Sequence, residues 1–122
     1  MESKKTLVLG ASDNSARYAH MATLLLRKHQ HEVVAVGNRK GKVGDVDIQT
    51  NMPNKIDELD TITLYLSAQN QTAYYPDIIR LKPERVIFNP GTENPSLTAL
   101  LDENQIPHEH ACTLVMLHAG LY

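Results

Sequence analysis

A chain of 122 residues with 42% hydrophobic and 21% charged side chains has room for one globular domain, expected over residues 1–122, and for no second one. Its 12 basic and 14 acidic residues leave a formal charge of -2, which argues against a wholesale nucleic-acid or membrane-surface binder. No apolar stretch reaches the roughly 18 residues of a membrane span, the opening "MESKKTLVLG" lacks the apolar core of a signal peptide, and the single cysteine, Cys112, has no internal partner; a cytoplasmic protein is expected.

The first apolar run, Thr6 to Leu9, reads as a strand and stops at Gly10-Ala11-Ser12. Helical spacing predicts a helix from about Ala16 to Lys28, with Ala19, Ala22, Leu25 and Leu26 on one stripe and Arg27 and Lys28 at the end that favours cations. A second strand, Glu32 to Val36, runs into the basic loop Gly37 to Lys42. Lys40 to Asn54, with Gly41, Gly44 and Pro53, is the least regular segment and is expected to be a loop with at most one short strand. Strands at Thr61 to Leu66, Arg85 to Phe88 and, more weakly, His108 to Ala111 then alternate with helices at Gln71 to Leu81, Ser96 to Asn104 and from Cys112 onward, with Pro83 and Pro107 as breaks. Such βα alternation, with central strands apolar enough to be buried on both faces, predicts a Rossmann-like α/β fold: an open, mainly parallel sheet with helices on both faces. Ligands of such sheets bind beyond the carboxyl ends of the strands.

The first strand-end loop, "GASDNS", keeps only Gly10 of the dinucleotide fingerprint, with Ser12 and Ser15 in place of its second and third glycines. Either Gly10 serves a structural turn, or the helix start behind it accepts an anion, with the Ser12 and Ser15 hydroxyls as donors and Arg17 as a nearby cation. In the second loop, "VGNRKGK", the acid that would bond a free ribose is missing, and Asn38, Arg39, Lys40 and Lys42 stand there instead. If that loop is more than a basic surface hairpin, it suits a phosphorylated ribose, carried by NADP at the 2′ position or by coenzyme A (CoA) at the 3′ position.

The stretches "GASDNSARYAH", "VVAVGNRKGKVGD", "DTITLYLS" and "VIFNPGTENPSL" together resemble the small, stand-alone CoA-binding domain proteins, whose fold is similar to the N-terminal CoA-binding domain of the succinyl-CoA synthetase α subunit. The resemblance covers nearly the whole chain. It implies that Gly10, Ala11, Ser12 and Arg17 hold the pyrophosphate end, and that Asn38, Arg39 and Lys40, following Gly37, meet the ribose 3′-phosphate. It also suggests that the loop of Asn89, Gly91 and Glu93 lies near the thiol end. Members of that family often carry Asn-Pro where this chain reads Gly37-Asn38-Arg39.

Ser67 and Gln69 are candidates for adenosine or pantetheine contacts, with helix capping as their alternative, and Asn94-Pro95 fits an N-cap with proline at the first helical position. His108, His110 and Cys112 alternate on one strand face, yet side chains at such spacing diverge and need a further element to close a metal cage, so no metal site is expected. Cys112 reads as a small core residue, with a mixed disulfide to a CoA thiol as the chemical alternative. No Ser-His-Asp order, paired-acid site or P-loop is visible, the synthetase's phosphorylated histidine lies outside its CoA-binding domain, and His118 reads as a surface or capping residue. The expected function is therefore binding of CoA or an acyl-CoA as a non-catalytic carrier, sensor or regulatory module, with no nucleic-acid or membrane partner and room for a protein partner or a second copy. Two alternatives stand beside it: an NADP-binding oxidoreductase using a Tyr-Lys pair from Tyr74, Tyr75 and Lys82, and a partner-binding subunit of an acyl-CoA or ligase complex, with Tyr18, Met116 and Leu121 as exposed apolar candidates.

Overall fold

The computed structural model describes residues 3–122. The chain runs β1 (Thr6–Leu9), α1 (Tyr18–Lys28), β2 (Val33–Val36), β3 (Gly41–Val43), β4 (Val46–Gln49), β5 (Thr61–Leu64), α2 (Ala68–Gln71), α3 (Tyr75–Leu81), β6 (Arg85–Phe88), α4 (Pro95–Glu103), β7 (His108–His110) and α5 (Thr113–His118). Among the described residues seven strands form one sheet in the order β3-β4-β2-β1-β5-β6-β7, in which only the β3–β4 pair is antiparallel. This is the Rossmann-like open sheet expected from the sequence.

Strand alternation divides the core in two. Leu7, Leu9, Ile62, Leu64, Val86 and Phe88 point to one side and pack with Ile78 of α3 and Leu97 and Leu101 of α4. Val8, Ala35, Ile48 and Ile87 point to the other, against Ala19 and Leu26 of α1 and Leu117 of α5. β1 and β5 are buried along their whole length, as strands covered on both faces must be. None of the helices among the described residues is long and apolar enough to cross a membrane.

Three expected elements differ in the structure. Lys40 to Asn54 holds two strands rather than at most one: β3 and β4 form a hairpin closed by Gly44-Asp45, with Gly44 at φ +59°. A glycine leading a two-residue turn suits the strand twist, and Val43, Val46 and Ile48 face inward while Lys42, Asp47 and Gln49 face out. The expected helix from Gln71 to Leu81 is broken into α2, a 3-10 turn over Thr72–Tyr74, and α3. Pro76 explains the break, because it has no N–H and its ring crowds the carbonyl four residues back. Helix α1 begins at Tyr18 rather than Ala16, since the amides of Ala16 and Arg17 are taken by the side chain and the carbonyl of Asn14, respectively. The Asn94 N-cap is present, its side chain accepting from the Leu97 amide at 3.3 Å, with Pro95 opening α4.

Beneath the amino ends of the strands, the buried ring of His31 lies 5.0 Å from that of Tyr122, whose hydroxyl bonds Thr6 Oγ1 at 2.6 Å. The Lys4 amide donates to His31 Nδ1 at 2.9 Å, so the proton sits on Nε2, which is buried without a partner. Burial, and after it the nearby His29, Lys4 and Arg85, hold the His31 pKa below its ordinary value of 6.5, against an opposing pull from Asp60. The folded state thus takes up its proton at lower pH than the unfolded chain, and stability that is present at neutral pH declines as pH falls from about 6.5 through the folded value. Melting temperature is expected to drop between pH 7 and pH 5, and His31→Gln, which keeps an acceptor but cannot titrate, should flatten that slope; an unaltered slope would refute the role of His31.

Candidate functional site

The pairing register levels the carboxyl ends of the strands. Leu9 stands opposite both Val36 and Leu64, Leu64 opposite Phe88, and Phe88 opposite His110. Loops therefore leave the sheet in a row along one edge, beginning at Gly10, Gly37, Tyr65, Asn89 and Ala111. The chain moves from β1 to β2 on one side and returns to β5 on the other, so the crevice that an open α/β sheet leaves at a reversal of strand order falls beside β1.

Two glycines let the loops touch backbone to backbone. A Cβ on Gly10, whose φ is +97°, would lie 2.9 Å from the carbonyl carbon of Tyr65. A Cβ on Gly37 would lie 2.3 Å from the carbonyl oxygen of Ala11. The amides of Gly10 and Ala11 both donate to the Val36 carbonyl at 2.9 Å, which ties the first loop to the end of β2. Farther out, Arg39 Nη2 stands 3.5 Å from Asp13 Oδ1, and Gly41 backs onto the same carboxylate. Gly10, Ala11 and Ser12 are thus brought against Gly37 and the Asn38-Arg39-Lys40 loop, and the start of α1 opens on the same edge.

In the first loop the amides of Gly10, Ala11, Asn14, Ala16 and Arg17 already have acceptors, but the Ser12 hydroxyl does not. Ser12 Oγ accepts from the Asn14 amide at 3.1 Å, which leaves the Ser12 hydroxyl proton free to donate elsewhere. Arg17 is the N-cap of α1 and makes no side-chain cap, so the helix start presents amides and the positive end of its dipole to solvent. Ser15, Arg17, Asn38, Arg39 and Lys40 are all exposed. Among the described residues Arg39 has Asp13 as an ion-pair partner, whereas Arg17 and Lys40 have none.

The loops after β5 and β6 are built differently. Ser67 is exposed before α2 and accepts from Asn70 Nδ2 at 3.0 Å, while Gly91, at φ +90°, faces open space two strands away from β1. Asn89 turns inward: Nδ2 donates to Thr63 Oγ1 at 2.7 Å and to the Leu64 carbonyl at 2.9 Å, and Oδ1 accepts from the Thr113 amide at 2.9 Å. Asn94 donates to Gln71 Oε1 and Tyr75 Oη, and Gln71 Nε2 in turn bonds the carbonyls of Leu66 and Thr92. These buried amides brace the loops and have their polar atoms occupied. Tyr65, which sequence reasoning passed over, places its hydroxyl near those of Thr113 and Thr63 but outside hydrogen-bonding geometry; burial pushes its pKa up to about 12. His108 bonds Asp102 at 2.8 Å, His110 stacks on Phe88 and the half-buried Cys112 precedes α5.

One open cleft of about 280 Å³ runs along β2 and β4, from Glu32 and Asp45 to Gln49, and another of about 270 Å³ lies between Lys55 and Arg80. The second lies away from the carboxyl edge, where the reversal of strand order places ligands; the first reaches it at Gln49, whose carbonyl accepts from the Gly37 amide.

A model of the CoA binding domain family matches residues 4–118. No curated protein matches the chain. A crystal structure of an uncharacterized protein is 48% identical, with a TM-score of 0.95 and all of both chains covered. The structure of cell-free ID.343 from Thermus thermophilus, at 21% identity and TM-score 0.86, covers 98% of this chain and 91% of its own, and a hypothetical protein from Pyrococcus horikoshii OT3, at 21% and 0.84, covers 98% and 84%. The last two share the fold. With its strand-end loops locked together by Gly10 and Gly37 and the family model spanning nearly all of it, this chain belongs to the CoA binding domain family.

Proposed function

We propose that this protein binds CoA or an acyl-CoA across the carboxyl edge of its sheet and acts as a carrier, sensor or regulatory module rather than as a catalyst. Gly10, Ala11, Ser12, Ser15 and Arg17 receive the pyrophosphate at the start of α1; Asn38, Arg39 and Lys40, following Gly37, receive the ribose 3′-phosphate; Ser67 and Gly91 flank the path of the pantetheine arm. The observation that carries this reading, beside the family membership, is the close approach of Gly37 to the Ala11 carbonyl, which sets the loop leading into α1 and the cationic loop side by side. The reductase alternative is disfavoured by position: the Tyr75 hydroxyl is held by Asn94, and Lys82 caps the far end of α3, just before β6 begins at the opposite edge.

A thermal-shift series with CoA, acetyl-CoA, NADP, NAD and ADP ranks the ligands, since one that binds only the folded state raises its apparent stability. CoA or acetyl-CoA is expected to lead; a larger shift with NADP would reject the reading. Arg39→Glu then tests the phosphate assignment. A charge-assisted hydrogen bond is worth roughly 1.5–3 kcal/mol, so CoA affinity should fall about tenfold to a hundredfold, more at low salt, while ADP, which lacks the 3′-phosphate, should lose much less. Equal losses for CoA and ADP in titration calorimetry would remove Arg39 from the 3′-phosphate site.

A further inference from the structure

We infer that Asp13 is a built-in competitor for Arg39, holding the guanidinium that the ribose 3′-phosphate must capture and so lowering the affinity for 3′-phosphorylated ligands in particular. This rests on the function proposed above. Asp13 is the one acidic residue within Gly10 to Arg17 and Gly37 to Lys42; every other side chain there is neutral or cationic. Its Oδ1 lies 3.5 Å from Arg39 Nη2, and its Oδ2 lies 2.7 Å from where a Cβ on Gly41 would stand. The carboxylate therefore occupies the seam between the two loops, in space that only a glycine at position 41 leaves open.

A carboxylate at this seam opposes the binding of an anion in two ways. It repels any phosphate nearby, and it occupies the guanidinium fork that a phosphate would use. The pair is built to exchange: the Arg39 side chain is 82% exposed and that of Asp13 41%, so solvent screens the attraction and neither group is locked in place. An arriving 3′-phosphate brings more charge and more acceptor oxygens than Asp13 and takes Arg39 over. A ligand without that phosphate leaves the Asp13–Arg39 pair intact and meets only the general repulsion. Asp13 thus eases release of the coenzyme afterwards.

Asp13→Asn removes the charge at constant shape, and Asp13→Ala removes any new hydrogen bond that the amide could offer the phosphate. Calorimetric titration of both variants and the wild type with CoA and dephospho-CoA, after apo melting curves confirm folding, provides the test. CoA affinity is expected to rise about threefold to tenfold in both variants and dephospho-CoA affinity by less than about twofold, with the gain shrinking as salt is raised. In an Arg39→Gln background the CoA gain should fall to the dephospho-CoA level. If the wild type prefers CoA to dephospho-CoA but neither Asp13 variant binds CoA more tightly, or both ligands gain equally, the competitor role is overturned and the proposed function stands. If the wild type binds neither ligand, the proposed function fails and this inference fails with it.

Discussion

Asn89→Ala is expected to lower the unfolding free energy by about 3–5 kcal/mol, because it removes three buried side-chain hydrogen bonds and leaves the Leu64 carbonyl and the Thr113 amide without partners. Asn89 is 2% exposed and joins the ends of β5 and β6 to the start of α5, so the groups it leaves behind are shut off from bulk solvent. Against a total of roughly 5–15 kcal/mol for a domain of this kind, such a loss leaves a marginal fold, and the melting temperature should drop by about 10–20 °C. Asn89→Asp should not rescue it, since a carboxylate keeps the acceptor for Thr113 but faces the Leu64 carbonyl with no donor. Urea titration reads the effect as a lower midpoint at an unchanged slope. A loss under about 1 kcal/mol would mean that the side chain braces nothing and is available to a ligand.

Gly37→Ala should combine a stability loss of about 2–3 kcal/mol with a fall of at least about tenfold in CoA affinity. The added Cβ would stand 2.3 Å from the Ala11 carbonyl oxygen, and that oxygen belongs to backbone whose neighbouring amides are both tied to Val36. The first loop can escape only by moving away from the second, which separates the two groups proposed to hold one nucleotide. Gly41→Ala is the contrasting case: its Cβ would meet side-chain atoms of Asp13, Oδ2 at 2.7 Å and Cβ and Cγ at 3.0 Å, rather than backbone, so the stability loss should be smaller and, with Asp13 pushed from Arg39, CoA affinity should hold or rise. Denaturation curves and CoA titrations of the two variants separate the cases. If Gly37→Ala binds CoA as tightly as the wild type, contact between the loops is not what forms the site.

Periodicity along the chain was enough to reveal the α/β alternation, because β1, β5 and β6 lie in the sheet with both faces covered and are built mainly from apolar and β-branched residues. Gly10 at a strand end and the cations after β2 were legible for a related reason: turn chemistry and local charge are properties of a few adjacent residues. The β3–β4 hairpin was not, although "VGDV" is a turn signal, because these strands alternate buried with exposed residues and place only Val43, Val46 and Ile48 inward, too few to show a period. The break at Pro76 was likewise hidden by apolar spacing that continues on both sides of it.

Local sequence therefore determined which segments become strands and helices and which loops carry glycine and positive charge. Partnership was decided by the tertiary structure. Asn89 reads in sequence as one more polar residue in a strand-end loop, yet its bonds reach residues 24 to 26 positions away and make it a brace. Asp13 reads as an acid in a polar turn, and only the packing of β2 against β1 brings Arg39 to it. The physical reason is that hydrophobic pattern and backbone propensity act between near neighbours, whereas a hydrogen bond or an ion pair depends on the register in which distant strands align.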